Sequence, residues 1–295
     1  MTQTVTKNQQ LAGQIAVLGA AFLWSTSGLF IKLLDWHPMV IAGARSFVSA
    51  AFLLVTRLVS PPPKARKNPP FPFWACATAF AATLLTYVIA NKLTTAANVI
   101  LLQYGAPIWA ALLGWFLIRE KPNWEHWVAL LFVMGGLLLF FRDGLDSGAI
   151  TGNVLSIISG ILLGAHSVFL RMMKNGNPSD ALLLGHAITA ASSIPFAILY
   201  PPSLLFPSVL SILYMGTLQM GLASLLFSYG IKRVSAIQAM LTAIIDPILN
   251  PVWVLVITGE KPSMSALTGG VMIISAVITS SLIGMRRIDQ NAISP

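Results

Sequence analysis

Glu120-Lys121-Pro122 and Glu260-Lys261-Pro262 each close a long apolar stretch that contains an internal proline, Pro107 in the first and Pro247 in the second. Tripeptide and proline both recur at a spacing of 140 residues. The same spacing carries Lys92 onto Lys232, and a spacing of 139 carries Gly13 onto Gly152 and Lys32 onto Arg171. The chain is therefore read as a duplicated half, with one repeat over residues 1–148 and a second over 149–295, together forming one transmembrane domain.

Each half holds five apolar spans. They lie at about 11–34, 39–58, 73–90, 96–118 and 124–141, then 153–170, 181–200, 208–231, 236–258 and 265–285. A helix crossing the hydrocarbon layer needs about 20 mostly apolar residues, and its backbone must bond to itself, which favours helices over open sheet. Hydrophobic residues make up 56% of the chain, charged residues 9%, and the mean hydropathy is +0.79. These values exclude a soluble domain. An odd number of crossings per repeat inserts the second copy upside down, the construction used by secondary transporters. The sequence predicts an all-α polytopic membrane protein whose ten transmembrane helices form a 5+5 inverted-topology repeat. The first span is too long for a cleavable signal peptide and is read as retained.

Lysine and arginine set the orientation. With the N-terminus inside, thirteen fall in cytoplasmic segments, among them Arg57, Lys67, Arg119, Arg171, Lys232 and Arg287, against four outside: Lys32, Lys92, Arg142 and Lys261. Both termini are expected in the cytoplasm. The net charge of +9 is thus a topology signal, and no nucleic acid partner is implied. Ser60 to Pro70, rich in proline and basic residues, reads as a loop anchor beside lipid headgroups.

Polar side chains inside apolar spans are costly and normally face a bundle interior or a water-filled path. In the ninth span Gln238, Thr242, Asp246 and Asn250 stand four apart, on one slowly rotating helix face. The fourth span keeps polar Asn98 and Gln103. Asp246 is the one acidic residue near a span centre, and two readings of it stand: a hydrogen-bond acceptor at the break made by Pro247, or a site for a substrate amine or a proton. Pro107 and Pro247 remove mid-helix donors and are candidate hinges, with a static kink as the alternative. Thr83, Tyr87 and Asn91 repeat the four-residue spacing in the third span. Trp24, Ser27 and Phe30 in the first span, with His166 and Phe169 in the sixth, are candidates for an aromatic-lined cavity, packing being the alternative. Arg45 could bind a carboxylate, pair internally or reach the lipid interface.

The lone Cys76 excludes an internal disulfide and a cysteine metal cluster, and no histidine pair has metal-ligand spacing, so neither metal nor cofactor is expected. No His-Glu-x-x-His helix, Gly-x-Ser-x-Gly elbow or phosphate loop is present, which argues against an enzyme and against ATP-driven pumping. A monomer is the default, a dimer through Gly269 and Gly270 the alternative.

Ala21-Phe22-Leu23-Trp24-Ser25, His37-Pro38 followed by Arg45, and the paired proline and Glu-Lys-Pro units resemble the EamA family of the drug/metabolite transporter superfamily, over nearly the whole chain. Within it the chain looks most like the YddG-type aromatic amino acid exporters of bacterial inner membranes. The resemblance implies a central cavity surrounded by helices 1 to 4 and 6 to 9, with helices 5 and 10 peripheral, and a substrate of aromatic amino acid type. Ser25 departs from the family's usual glycine. Other metabolites, drugs or a lipid-linked substrate are the alternatives.

Overall fold

The computed structural model describes residues 6–26, 30, 34–60, 67–94, 99, 102–141, 150–249, 253 and 264–293. Helix makes up 85% of the structure, and there is no strand among the described residues. The helices are α1 (Lys7–Ser25), α2 (Pro38–Val59), α3 (Pro70–Leu93), α4 (Ala106–Ile118), α5 (Trp124–Phe141), α6 (Ile150–Met172), α7 (Ser179–Leu199), α8 (Phe206–Ile231), α9 (Ala236–Leu249) and α10 (Met264–Ile293). Of these, α2, α3, α6, α7 and α8 contain apolar spans of 21 to 26 residues, long enough to cross a bilayer.

Local chemistry sets the ends. Thr6 caps α1 in a capping box, with its hydroxyl accepting from the Gln9 N–H at 3.3 Å and the Gln9 side chain accepting from the Thr6 N–H at 3.0 Å. The expected first span extends to residue 34, but α1 stops at Ser25. There the hydroxyls of Ser25 and Thr26 turn back onto the carbonyls of Phe22 and Leu23, at 2.6 and 2.8 Å, and the Phe30 N–H reaches the Thr26 carbonyl at 3.4 Å. Pro38 opens α2, where its missing N–H costs nothing. At the end of α4, Arg119 takes a left-handed conformation with φ 56°, and the Glu120 N–H closes onto the Gly114 carbonyl at 3.1 Å.

The packing obeys the repeat. When each helix of the first half is exchanged with its counterpart five places on, α3 against α6 becomes α8 against α1, α3 against α7 becomes α8 against α2, and α4 against α6 becomes α9 against α1; all six pairs are packed. The contacts α2–α7, α4–α9 and α5–α10 map onto themselves under the same exchange, and smaller contacts of α1 with α10 and α5 with α9 are added to them. The glycines related by the sequence spacing play one role. A Cβ added to Gly13 would stand 2.7 Å from the Arg233 Cβ, and one added to Gly152 would stand 2.7 Å from the Thr94 Cβ, so each lets its helix meet the end of a helix from the other half.

Gly136 of α5 lies against α10, where a Cβ would approach the Gly269 carbonyl to 2.9 Å. Gly269 and Gly270 are buried inside the chain, so the alternative of a dimer through them finds no exposed glycine face.

One end of the bundle is tied by polar contacts. Arg57 bonds Asp180 at 3.0 Å, Arg171 bonds Glu120 at 2.8 Å, and Asn68 exchanges two hydrogen bonds with Asn177, both at 2.8 Å. Lys232 donates to the Gly176 carbonyl at 2.8 Å; burial and the neighbouring Arg233 hold its pKa below the ordinary lysine value, with Asp180 opposing them.

Candidate functional site

Two interrupted helices build the centre. A turn at Tyr104-Gly105 precedes α4, and α9 is broken at Ile244, where the Ile244 N–H reaches back only to the Leu241 carbonyl at 3.3 Å. Pro107 and Pro247 each sit three residues beyond such a turn residue, in the first turn of the helical piece that follows. This corrects the expectation of mid-helix prolines: a first turn has no N–H to lose, so proline restarts the helix after the break. Gly160 and Gly164 let α6 lie against the exposed backbone before and within α4. Cβ atoms there would stand 2.9 Å from the Gln103 carbonyl and 2.8 Å from that of Ala106.

Beside these breaks lies a cavity of about 150 Å3. Trp24 of α1 and Arg45 of α2 line it, with Phe80, Thr83, Leu84 and Tyr87 of α3. Gln103, Tyr104, Ala106 and Pro107 follow, then Leu163 and His166 of α6 and Leu182 of α7. From α8 come Gln219, Met220, Ser224 and Phe227, and from α9 Met240, Ala243, Asp246 and Pro247. Helices 1 to 4 and 6 to 9 all contribute; among the described residues none of α5 or α10 lines it.

The Tyr104 phenol donates a hydrogen bond to Oδ2 of Asp246. Arg45 is only 4% exposed, lies within electrostatic range of Tyr87 and His186, and its Nε has no hydrogen-bond partner. It therefore does not reach the lipid interface. His166 Nδ1 and Gln219 Oε1 are likewise buried and unpartnered, while the Gln219 amide holds the Trp24 carbonyl at 3.3 Å. Gln103 donates to the Ser159 hydroxyl at 2.8 Å, which in turn donates to the Thr83 carbonyl at 3.3 Å. Trp24 and Phe227 pack at 5.3 Å between ring centroids, and Phe80 lies 5.3 Å from the His166 ring. Apolar rings and buried polar atoms lacking partners make the cavity suited to a small solute with a polar head.

A family model described as EamA-like transporter family matches residues 11–142 and again 150–282. The chain belongs to that family. It is a membrane transporter of small metabolites, built as the ten-helix inverted repeat. It is 25% identical over 286 residues to the uncharacterized transporter YwfM of Bacillus subtilis (strain 168), covering 88% of this chain and 92% of that one. An uncharacterized transporter of Archaeoglobus fulgidus is 23% identical over 269 residues, covering 90% and 95%. A solved crystal structure superposes with a TM-score of 0.79 at 21% identity, covering 96% of this chain and 99% of that one, a likeness of fold.

In this EamA-like transporter the cavity brings together Trp24, Arg45, Thr83, Tyr87, Gln103, His166, Asp246, Pro107 and Pro247. Phe30 instead stacks on Tyr214 at 4.4 Å, and Phe169 meets Phe71 edge-on at 5.8 Å. Gln238 and Thr242 bond each other and face α10, the Ser280 hydroxyl lying 3.4 Å from Gln238 Oε1. The four-residue stripe fails because each step drifts about 40° around the helix, and the break at Ile244 moves Asp246 further from its predecessors. Ser27, Asn98 and Asn250, and the side chain of Asn91, lie outside the described residues.

Sequence reasoning missed Tyr104, Gln219, Phe80 and Phe227. Tyr104 matches apolar Ile244 at the repeat spacing, so comparing polar positions between copies passed over it. Gln219 lies in a π-helical stretch of α8, Met215–Leu222, whose extra residue per turn re-aims it. A lone amide in an apolar span was the available signal.

Proposed function

We propose that this transporter exports aromatic amino acids across the bacterial inner membrane by alternating access of the central cavity. The carrying observation is the cavity wall: Trp24, Phe80, Tyr87 and Phe227 beside Arg45, whose Nε has no hydrogen-bond partner, and the carboxylate of Asp246. An apolar ring fits the aromatic walls, the guanidinium binds the substrate carboxylate, and Asp246 attracts its ammonium. Halves 1–148 and 149–295 rock about the cavity, Pro107 and Pro247 marking the hinges, with both termini cytoplasmic. The duplicated packing, in which the main contacts between halves have their exchanged counterparts, supports such a movement. The membrane is the only environment required, and the functional unit is a monomer.

The test is flux of tryptophan, phenylalanine and serine through purified protein in liposomes, against protein-free vesicles. Selective movement of the aromatic pair is expected. Movement of none of the three, while a lipid-linked or drug-like solute is carried, overturns the substrate.

A further inference from the structure

We propose that Gln103 is the residue that tells one aromatic side chain from another: its Oε1 accepts a hydrogen bond from the ring N–H of an indole, so that the cavity favours tryptophan over aromatic rings that lack a donor. The proposal deepens the amino acid reading above and rests on it.

Gln103 stands immediately before the turn at Tyr104-Gly105 that interrupts the backbone ahead of α4. Gly160 brings α6 onto that segment, since a Cβ there would stand 2.9 Å from the Gln103 carbonyl, and so sets Ser159 beside the Gln103 side chain. The Ser159 hydroxyl has one hydrogen and donates it to the Thr83 carbonyl of α3 at 3.3 Å, so toward Gln103 it can only accept. The amide therefore turns its NH2 to Ser159, at 2.8 Å, and its Oε1 the other way. That is the one hydrogen bond of the Gln103 side chain among the described residues. Gln103 is 8% exposed and lines the cavity; unlike Gln219 Oε1, its Oε1 is not sealed among other side chains and opens on that space. At the repeat spacing Gln103 matches Ala243, which also lines the cavity, so the acceptor stands on one wall only.

The place of Gln103 along α3 decides what it reads. Phe80, Thr83 and Tyr87 line the cavity from successive turns, and the Thr83 carbonyl holds the Ser159 hydroxyl that orients the amide. One turn toward Phe80 stand the rings, with Phe80 5.3 Å and Phe227 6.1 Å from the His166 ring. About 6 Å the other way along the helix axis is Tyr87, within electrostatic range of Arg45. A zwitterion held at Arg45 and Asp246 with its ring against Phe80 carries its side chain past Gln103. The indole N–H lies partway along a tryptophan side chain, at that level, and a phenyl ring has no donor there. Water can bond Oε1 while the cavity holds no substrate. A ring that displaces this water without replacing its bond leaves a buried acceptor unsatisfied, whereas the indole N–H restores the bond.

The experiment uses liposomes holding the full chain and measures entry of labelled tryptophan against unlabelled tryptophan or benzothienylalanine, which keeps the shape of tryptophan but carries sulfur in place of the ring N–H. Benzothienylalanine is expected to compete about tenfold more weakly with the wild-type protein. In Gln103→Leu the two should compete equally, and in Ser159→Ala, where the amide is no longer held, the gap should narrow. Equal competition in the wild type overturns the proposal and leaves the amino acid reading intact. A gap in Gln103→Leu as wide as in the wild type overturns the assignment to this residue. No tryptophan entry into wild-type vesicles overturns both readings. If Gln103→Leu fails to fold, Ser159→Ala decides: a gap unchanged from the wild type overturns the proposal.

Discussion

Arg171 joins three helix ends: its Nε donates to Glu120 Oε1 at 2.8 Å, just beyond α4, and its NH1 donates to the Ile231 carbonyl at 2.8 Å, at the end of α8. The Arg171 side chain is 10% exposed and that of Glu120 26%, so the pair is largely shielded from water. Ile231 belongs to the second half and Glu120 to the first, so the contact bridges the repeats at a single face.

A double-mutant cycle of Arg171→Gln and Glu120→Gln, read by thermal unfolding in detergent, is expected to give a coupling energy of about 1 kcal/mol. Arg171→Gln alone costs more than Glu120→Gln, because it also strips the Ile231 carbonyl of its donor. Equal single-mutant costs with no coupling would contradict this.

Glycine size is set by the packing between halves. Gly13→Val and Gly152→Val are each expected to destabilise by about 1–3 kcal/mol through overpacking. Gly19→Ala should be near neutral, since a Cβ there meets only the flexible Leu226 Cδ1 at 3.4 Å. Unfolding midpoints of the three variants give the comparison.

Arg45 should matter for transport beyond its part in stability. Arg45→Lys keeps a charge but loses the planar fork that binds a carboxylate through two parallel bonds. A charge-assisted hydrogen bond is worth about 1.5–3 kcal/mol, so initial flux of aromatic substrate should fall roughly tenfold or more. Wild-type flux in folded Arg45→Lys would remove Arg45 from the binding site.

The polar residues of α9 divide at its break. Thr242→Val and Gln238→Leu should lower stability by about 1 kcal/mol each and leave substrate affinity unchanged, because they serve the α10 contact. Gln219→Leu, on the cavity, should change affinity or selectivity. Substrate competition assays on the three variants distinguish the roles, and the reverse pattern would show that the face assignments are wrong.

Duplication, helical class and membrane character were legible in the chain alone, since Glu-Lys-Pro, the prolines and the span lengths depend on order and composition. The family resemblance further indicated which helices surround the cavity. The breaks at Tyr104-Gly105 and Ile244 were not legible, because proline marks the turn after a break and not the break itself. The facing of Gln238 and Thr242 toward α10, and of Gln219 toward Trp24, could be settled only in three dimensions. Periodicity assumes an unbroken helix at one pitch. A turn in α9 and a π-helical stretch in α8 change that pitch, and hence which side chains meet across the cavity. Order along the chain thus determined the number and kind of helices, and tertiary packing decided which polar groups share a space, because that depends on the rotation of each helix about its own axis.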